Sequence, residues 1–340
     1  MNVHLDPWLG AVPDAVVARL RGARDALIVS HENPDADTLG AALGLREILA
    51  ARGATASVVC SDIPPPLYGF MPGIGDFRTD PEPGRAYDLL VIVDCGSLER
   101  VGSVRERHAA LFAGLPTVVI DHHASNGAAG DVDWVDPAAA ATCEMVALLA
   151  TSLGAPMTAG GGTLAAVLMA GIVMDTATFA HPNATPRTLA VSAALVAAGA
   201  PLADISRQLY RTKPDVQLRL FGRVLDRLRT AADGGVIYSM LLTADVTDTG
   251  ALSAHSEGII DLLSQSEVAE VAILFKEAGP ETTRISVRTK PGGVDATVLT
   301  GRFGGGGHAR AAGASISANL TEAIDRVLPW ATELAAAVRR

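Results

Sequence analysis

One imidazole and two carboxylates lie within seven residues of one another near the start of this 340-residue chain. They belong to His31, Asp35 and Asp37, and the intervening Asn33-Pro34 disfavours a helix at that point. Imidazole nitrogen and carboxylate oxygen are together suitable ligands for a divalent transition metal. A structural alternative fits the same spacing, because Asp35 or Asp37 could be the N-cap of a helix beside a surface histidine.

Acidic and histidine side chains also follow later apolar segments of the chain. Asp94 directly follows one such segment, and Asp121-His122-His123 follow the next. Two adjacent histidines at the end of a strand are hard to explain by packing alone. Asp175 ends an apolar helical segment, where a carboxylate is electrostatically unfavourable unless a metal lies nearby. The positions of Asp94 and Asp121-His122-His123 at strand ends favour a shared site over isolated capping roles.

The elements that must position these residues are predicted from hydrophobic periodicity. Short apolar runs predict strands over residues 26–29, 55–59, 87–93 and 117–120, and an Ala/Leu-rich run predicts a helix over residues 39–51. In an open α/β sheet, ligands lie at the carboxyl ends of the strands. His31, Asp94 and Asp121 each follow a predicted strand, so we expect them to meet at one edge of the sheet.

Composition limits the class of protein. The chain is 49% hydrophobic and 19% charged, with a mean hydropathy of +0.29, and its length predicts two globular domains. A net charge of -10 argues against a protein that coats long nucleic acid, because phosphate binding needs a basic surface. Cys60, Cys95 and Cys143 form no disulfide-like pattern, which is typical of a reducing cytosol. Residues 1–10 lack the basic cluster of a signal peptide, and the apolar run 164–174 is too short to span a bilayer. We therefore expect a cytoplasmic protein with no membrane partner.

The C-terminal part of the chain has a different pattern of apolar and polar residues. Residues 186–229 are helical in pattern, and strands are predicted over 236–242, 268–275 and 284–288, the last with Arg284 and Arg288 on its polar face. Four glycines then precede His308, and such a bare backbone can approach an anion closely. We expect an apolar helix beginning at His308 to direct its N-terminus towards the same anion, and a final amphipathic helix over residues 320–338.

The motifs HENPDAD, VDCG, DHHASN and IVMDT, followed by GGGGH and AAG, resemble the DHH phosphoesterases that carry a DHHA1 domain. The similarity covers nearly the whole chain and is closest in type to the stand-alone nanoRNase and pAp phosphatase proteins. It implies an N-terminal α/β DHH domain with a parallel sheet and a smaller C-terminal α/β DHHA1 domain, joined by a helical connector. The implied limits are 1–200 for the catalytic domain, 201–230 for the connector and 231–340 for the substrate-binding domain.

The same resemblance implies two Mn²⁺ ions per subunit. His31 and Asp35 would bind the first ion, Asp37, His122 and Asp175 the second, and Asp94 would bridge both. His123 would orient a phosphate or relay a proton, and Asp121 would support the histidines, so Asp94, His123 and Asp121 are the implied catalytic residues. The implied substrate-binding residues are Asn33, Arg288, Gly305, Gly306, Gly307 and His308. The type of ligand leaves the native metal open among Mn, Co and Fe.

The implied function is a Mn²⁺-dependent phosphodiesterase. Its substrates would be cyclic di-AMP, linear dinucleotides such as pApA and other very short RNA, which it would cut to AMP, with pAp as a further phosphatase substrate. Long nucleic acid is not expected as a partner, and the family suggests a homodimer. The alternatives are a catalytically silent nucleotide-binding regulator, a pyrophosphatase-like phosphohydrolase and an RNA-binding module of the kind found in alanyl-tRNA synthetases. Mn²⁺-dependent release of AMP would distinguish the enzyme from a binding protein.

Overall fold

The computed structural model describes residues 4–127 and 130–338, and the chain forms two compact units, Met1–Thr212 and Lys213–Arg340. Of the helices within the predicted connector, Leu202–Ser206 belongs to the first unit and Asp215–Asp226 to the second. The division into 1–200, 201–230 and 231–340 stays a prediction.

The first unit is built on a five-stranded parallel sheet in the order β2-β1-β3-β4-β5. Its strands are β1 Asp25–Val29, β2 Thr55–Val59, β3 Leu89–Val93, β4 Thr117–Asp121 and β5 Val132–Val135. Val29 is in register with Ile92, and Val93 with Ile120, so the central strands end at one level. Because these strands are buried on both faces, they consist of continuous apolar residues. The predicted parallel α/β fold is confirmed.

Helices cover this sheet and deliver two acidic side chains to its carboxyl edge. They are α1 Asp14–Gly22, α2 Ala36–Ala51, α3 Ser103–Arg107, α4 Ala109–Gly114, α5 Thr142–Leu153, α6 Thr163–Asp175, α7 Pro186–Ala197 and α8 Leu202–Ser206, which continues into a π-helical turn, Arg207–Arg211. Glycines allow α2 and α6 to approach closely, since a Cβ at Gly40 would lie 2.5 Å from the carbonyl oxygen of Val167. Asp37 in the first turn of α2 is thereby brought near Asp175 at the end of α6.

The longest apolar run of the sequence lies in α6, which is a buried core helix. Within residues 4–127 and 130–338, no single helix is both long and apolar enough to cross a membrane. One pair of helices, Pro186–Ala197 and Leu202–Arg211, meets the length and composition criteria together but is bent by 116°.

The second unit contains a six-stranded mixed sheet in the order β10-β11-β9-β8-β7-β6. The strands are β6 Arg229–Ala231, β7 Val236–Leu241, β8 Val271–Gly279, β9 Thr282–Thr289, β10 Gly306–His308 and β11 Ala311–Ile316. The helices are α9 Asp215–Asp226, α10 Thr243–Thr249, α11 Ile259–Leu263, α12 Ala296–Gly301 and α13 Leu320–Val338. Along β9, Thr283, Ile285 and Val287 are buried, and the intervening residues are more exposed. The predicted second α/β domain is confirmed.

The predicted helix beginning at His308 is wrong. His308 ends the short strand β10, which pairs antiparallel with β11. The glycines are needed for this pairing, because a Cβ at Gly305 would lie 2.5 Å from the Cβ of Ala314, and one at Gly307 would lie 2.7 Å from the Cα of Ala312. The loop therefore presents strand backbone, and no helix N-terminus, to a ligand.

Candidate active site

Three of the candidate residues lie one or two positions beyond the ends of neighbouring strands. His31 follows β1, Asp94 follows β3, and His122 follows β4. Asp94 has a left-handed backbone (φ 58°), which is unfavourable for a residue with a Cβ and is typical of functional sites. Its N–H donates to the carbonyl of Ile120 at 2.9 Å, so the strained residue is held by the adjacent strand. The parallel sheet thus brings these side chains together, as its topology predicts.

The first group of potential metal ligands comprises His31, Asp35 and Asp94. The Nε2 atom of His31 lies 3.9 Å from Asp35 Oδ2 and 3.7 Å from Asp94 Oδ2. The Nδ1 atom of the same ring lies 2.7 Å from the carbonyl oxygen of Glu32 and 3.2 Å from Arg100 Nη2, so Nε2 is the ring nitrogen that faces the carboxylates. Burial lowers the pKa of His31, an effect that Asp35 partly offsets. The neutral imidazole is the form that binds a metal.

The second group comprises Asp37, His122 and Asp175. The Nε2 atom of His122 lies 3.2 Å from Asp175 Oδ2 and 3.5 Å from Asp94 Oδ1. The other ring nitrogen of His122, Nδ1, lies 3.4 Å from the carbonyl oxygen of Ala139. Asp94 therefore presents one carboxylate oxygen to each group, with Oδ2 towards His31 and Oδ1 towards His122.

Asp121 and His123 form a hydrogen-bonded pair beside these groups. The Nδ1 atom of His123 lies 2.8 Å from Asp121 Oδ1 and 3.6 Å from Asp94 Oδ1. The Gly96 N–H and the Asn126 side chain donate to the other oxygen of Asp121, at 2.7 and 2.5 Å. Although burial opposes ionisation, the hydrogen bonds from His123 and Asn126 hold the pKa of Asp121 at about 2. The ionised Asp121 carboxylate thus orients His123.

The buried carboxylates of the site destabilise one another's charge. Burial raises the pKa of Asp94 and Asp175 well above the usual range and raises that of Asp37, and the neighbouring carboxylates add to the rise at all three. A divalent cation would reverse this balance by pairing with the ionised forms. The mixed imidazole and carboxylate donors suit a metal such as Mn²⁺. The residues present therefore fit the two ions that the resemblance implies.

The N-cap interpretation of Asp35 is also correct, and it is compatible with a metal site. Asp35 Oδ1 accepts the N–H groups of Asp37 and Thr38 at 3.0 and 3.1 Å, which begins α2, while Oδ2 faces His31. Asp37 is held differently, since its two oxygens accept the N–H groups of Thr142 and Cys143 at 2.7 and 2.9 Å. The N-terminus of α5 therefore orients Asp37.

Sequence reasoning missed several residues that contact these ligands, among them Arg100 beside His31 and the two that follow. Thr142 Oγ1 donates to Asp94 Oδ1 at 2.9 Å, and Asn183 Nδ2 donates to the carbonyl of Asp175 at 3.2 Å. Neither lies in a run of charged or histidine residues that would mark it in the sequence. Thr142 is 48 residues from Asp94, so only the tertiary structure reveals their contact.

The predicted substrate-binding residues lie in both units. Asn33 is exposed, with a left-handed backbone (φ 51°) and its N–H bonded to Asp62 at 2.7 Å. In the second unit, Arg288 is 32% exposed and its Nε donates to Asp261 at 2.9 Å. His308, Gly306 and Gly307 are exposed, and Gly305 is half-buried.

Arg288 and His308 share one face of the second sheet. Ala311 of β11 is in register with Arg288 of β9 on one side and with His308 of β10 on the other. Residues directly opposite on neighbouring strands point to the same face. A small alanine therefore separates two cationic or hydrogen-bonding side chains, which leaves room between them for part of a ligand.

Comparison with known proteins places this architecture in a family. Residues 25–172 match the DHH family, N-terminal domain, and residues 233–333 match the DHHA1 domain. The bifunctional oligoribonuclease and PAP phosphatase NrnA of Thermus thermophilus is 32% identical over 88% of this chain and 87% of its own length. The Bacillus subtilis protein of the same name is 27% identical, covering 84% of this chain and 87% of its own.

A solved structure shows the same fold. The exopolyphosphatase-related protein of Bacteroides fragilis superposes with a TM-score of 0.85 at 22% identity, covering 97% of this chain and 98% of the other. Fold and site together define a phosphoester hydrolase. The chain belongs to the DHH–DHHA1 phosphoesterases of the stand-alone NrnA type.

Proposed function

We propose that this protein is a Mn²⁺-dependent phosphodiesterase that hydrolyses very short nucleotides. Cyclic di-AMP would consume one water to give linear pApA, and pApA a second water to give two AMP. Hydrolysis of pAp would give AMP and phosphate. The relatives named oligoribonuclease and PAP phosphatase support the short oligoribonucleotides and pAp among these substrates.

The observation that carries the proposal is the position of Asp94. Its two oxygens face different ligand groups, Oδ2 at 3.7 Å from His31 and Oδ1 at 3.5 Å from His122. A carboxylate so placed, itself only 2% exposed, can be shared by two cations. His31, Asp35 and Asp94 would hold one ion, and Asp37, His122, Asp175 and Asp94 the other. When bound, such a pair of metals would supply an activated water and positive charge for the attacking and leaving oxygens at phosphorus.

The remaining residues would orient the substrate and move protons. Asp121 fixes the His123 ring through Nδ1, which leaves Nε2 to contact a phosphate oxygen or to protonate the leaving ribose oxygen. Asp62 accepts the backbone N–H of the exposed Asn33, whose side-chain amide would donate to the substrate.

The second unit would supply nucleotide recognition. Arg288 and His308 share a sheet face, and an arginine fork can pair with two phosphate oxygens at once. Asp261 holds the Arg288 guanidinium in place before a phosphate competes for it. The glycines at 305–307 would allow close approach of the ligand to the backbone.

The test is a comparison of substrates with the full-length protein. After treatment with chelator, we would measure AMP release from cyclic di-AMP, pApA, pAp, a 5-mer and a 24-mer as Mn²⁺ is added. We expect no turnover without metal, fast turnover of the dinucleotides, and a steep fall beyond a few nucleotides because the acidic chain offers long RNA no electrostatic track. Similar rates on the 24-mer would indicate a processive nuclease, and nucleotide binding without AMP release would indicate a regulator.

Variants would test the second unit separately. Arg288→Ala or His308→Ala should raise KM for pApA by roughly tenfold, which corresponds to one lost charged hydrogen bond, without changing Mn²⁺ affinity. Arg284→Ala is the matched control, because Arg284 lies four residues from Arg288 on the same face of β9 and is exposed. An equal effect of all three substitutions would mean a general loss of positive charge and would contradict a specific subsite.

A further inference from the structure

We propose that Arg187 is a positioning residue that holds the segment 136–142 against the candidate metal ligands. The inference rests on the proposed metal-dependent function and adds a residue to which no role has been assigned. Arg187 is the second residue of α7 and lies outside every motif of the sequence. Its side chain is 12% exposed.

The segment 136–142 touches three candidate ligands directly. The Ala139 carbonyl lies 3.4 Å from His122 Nδ1. Thr142 donates its N–H to Asp37 at 2.7 Å and its hydroxyl to Asp94 at 2.9 Å. Because this segment contacts ligands of both groups, a small displacement of it would change the geometry of both.

A fourth ligand is linked to the segment through an amide side chain. Asn183 Nδ2 donates to the Ala140 carbonyl at 3.1 Å and to the Asp175 carbonyl at 3.2 Å. The end of α6, where Asp175 lies, is thereby tied to the same stretch of backbone.

Arg187 bonds carboxylates at the start of this segment and just beyond its end. Its Nη1 donates to Asp136 at 2.8 Å, at the start of the segment, and its Nε bonds Glu144, in the first turn of α5. Glu144 is fully buried and also accepts the Thr188 hydroxyl at 2.7 Å and the Ala140 N–H at 3.3 Å. A buried carboxylate of this kind depends on its cationic partner.

The planar guanidinium is essential to this arrangement, because it reaches two carboxylates in different directions with fixed geometry. A lysine would keep the charge but could not maintain both hydrogen bonds as a rigid brace. Arg187 Nη2 is buried and has no hydrogen-bond partner among residues 4–127 and 130–338, so the contacts that fix the group are those through Nε and Nη1.

Arg85 offers a matched control in the same unit. Its side chain is 22% exposed, and it pairs through Nη2 with Asp25 at 2.6 Å and through Nη1 with Glu82 at 2.8 Å. Asp25 begins β1, whereas the candidate site lies where β1 ends, and within residues 4–127 and 130–338 none of the hydrogen bonds of Arg85 reaches a candidate metal ligand.

The experiment measures Mn²⁺ affinity by isothermal titration calorimetry on chelator-treated full-length protein, together with Tm in the absence of metal. We expect Arg187→Lys to weaken Mn²⁺ binding by about 10- to 100-fold, the range seen when residues that orient metal ligands are replaced. Arg187→Lys and Arg85→Lys should lower Tm by similar amounts. Arg85→Lys should nevertheless keep the Mn²⁺ affinity within about threefold of the wild-type value. Asp136→Asn removes one end of the brace with little change of shape and should also weaken Mn²⁺ binding.

The outcomes distinguish a failure of this inference from a failure of the proposed function. Wild-type protein that binds Mn²⁺, with Arg187→Lys and Asp136→Asn binding it equally well, would overturn the positioning role alone. An equal loss of affinity in Arg187→Lys and Arg85→Lys would overturn it too, by showing that lost stability explains the effect. Wild-type protein that binds no Mn²⁺ would overturn the metal-dependent function and this inference with it.

Discussion

Gly171 lies at the point where α2, α5 and α6 meet, behind the candidate metal ligands. These ligands are called the acidic centre and are His31, Asp35, Asp37, Asp94, His122 and Asp175. An added Cβ would lie 2.6 Å from Asp37 Oδ1 and 2.9 Å from Asp37 Cα, and closer still to the Cys143 sulfur. The Asp37 Cα is backbone and cannot rotate away, so Gly171→Ala must separate two helices or move Asp37.

The expected cost follows from two opposing effects. Overpacking of a filled core costs about 1–3 kcal/mol, and with a backbone clash we take the upper end. Replacing a helical glycine by alanine returns about 1 kcal/mol. The net loss of unfolding free energy should therefore be about 2 kcal/mol, or roughly 4–8 °C in Tm for a unit of this size. Activity should fall by roughly 100-fold, because Asp37 would be displaced by a fraction of an ångström to about 1 Å.

The assay is thermal unfolding of the metal-free protein together with AMP release at saturating Mn²⁺. Gly22→Ala is the control, because Gly22 ends α1 in the same unit and a Cβ there meets nothing within 4 Å. We expect that control to match or slightly exceed the wild-type Tm and to retain full activity. Wild-type Tm and turnover in Gly171→Ala would refute the close packing between α6 and Asp37.

Three further predictions concern charged groups. Asp94→Asn should reduce hydrolysis by roughly 10³-fold or more, since it removes several kcal/mol of charge stabilisation, and near-normal turnover would contradict the shared-carboxylate site. The same variant should be more stable than wild type without metal at pH 8, because the raised pKa of Asp94 means that its ionised form destabilises the fold. That advantage should shrink as the pH falls through this pKa and the wild-type carboxyl is protonated; a pH-independent difference would argue against the assignment. Asp245→Asn should cost about 2 kcal/mol at pH 7, because buried Asp245 accepts two bonds from Arg227 at 2.6 and 2.7 Å. Burial raises the pKa of Asp245, but the hydrogen bonds from Arg227 outweigh this and hold it below its usual range. The stability from this pair is therefore present above about pH 4 and is lost as the pH falls through the folded pKa. Urea unfolding of variant and wild type should converge at that low pH.

The sequence predicted the central strands and the residues at their ends well, because buried parallel strands are continuous apolar runs. The edge strand β5 was missed, since Val132–Val135 is short, contains Asp133 and buries only Trp134. The gathering of His31, Asp94 and His122 followed from topology alone. Their hydrogen-bond partners did not, because Thr142 and Asn183 come from distant segments that no local pattern connects to the ligands.

The error at His308 has a clear physical origin. A glycine run followed by alanines is compatible with a loop before a helix, and the choice depends on what lies next to each glycine. In the fold, Gly305 and Gly307 lie against β11, where any side chain would collide with the neighbouring backbone. The partner of Arg288 was equally invisible in the sequence, since Asp261 is 27 residues away in another element.

The contacts of Asp37 also determine when the acidic centre can form during translation. Asp37 is bonded by residues about 105 positions later in the chain and is packed against Gly171. The ribosome needs roughly 7–28 s to add the 138 residues between Asp37 and Asp175, at about 5–20 residues per second. Asp37 lacks its α5 partners until residues 142 and 143 have been added, and Asp175 and Gly171 are absent until the end of the interval. A nascent or truncated chain that stops before the end of α6 therefore carries the first motif but no acidic centre, and the centre forms only when most of the first unit has been made.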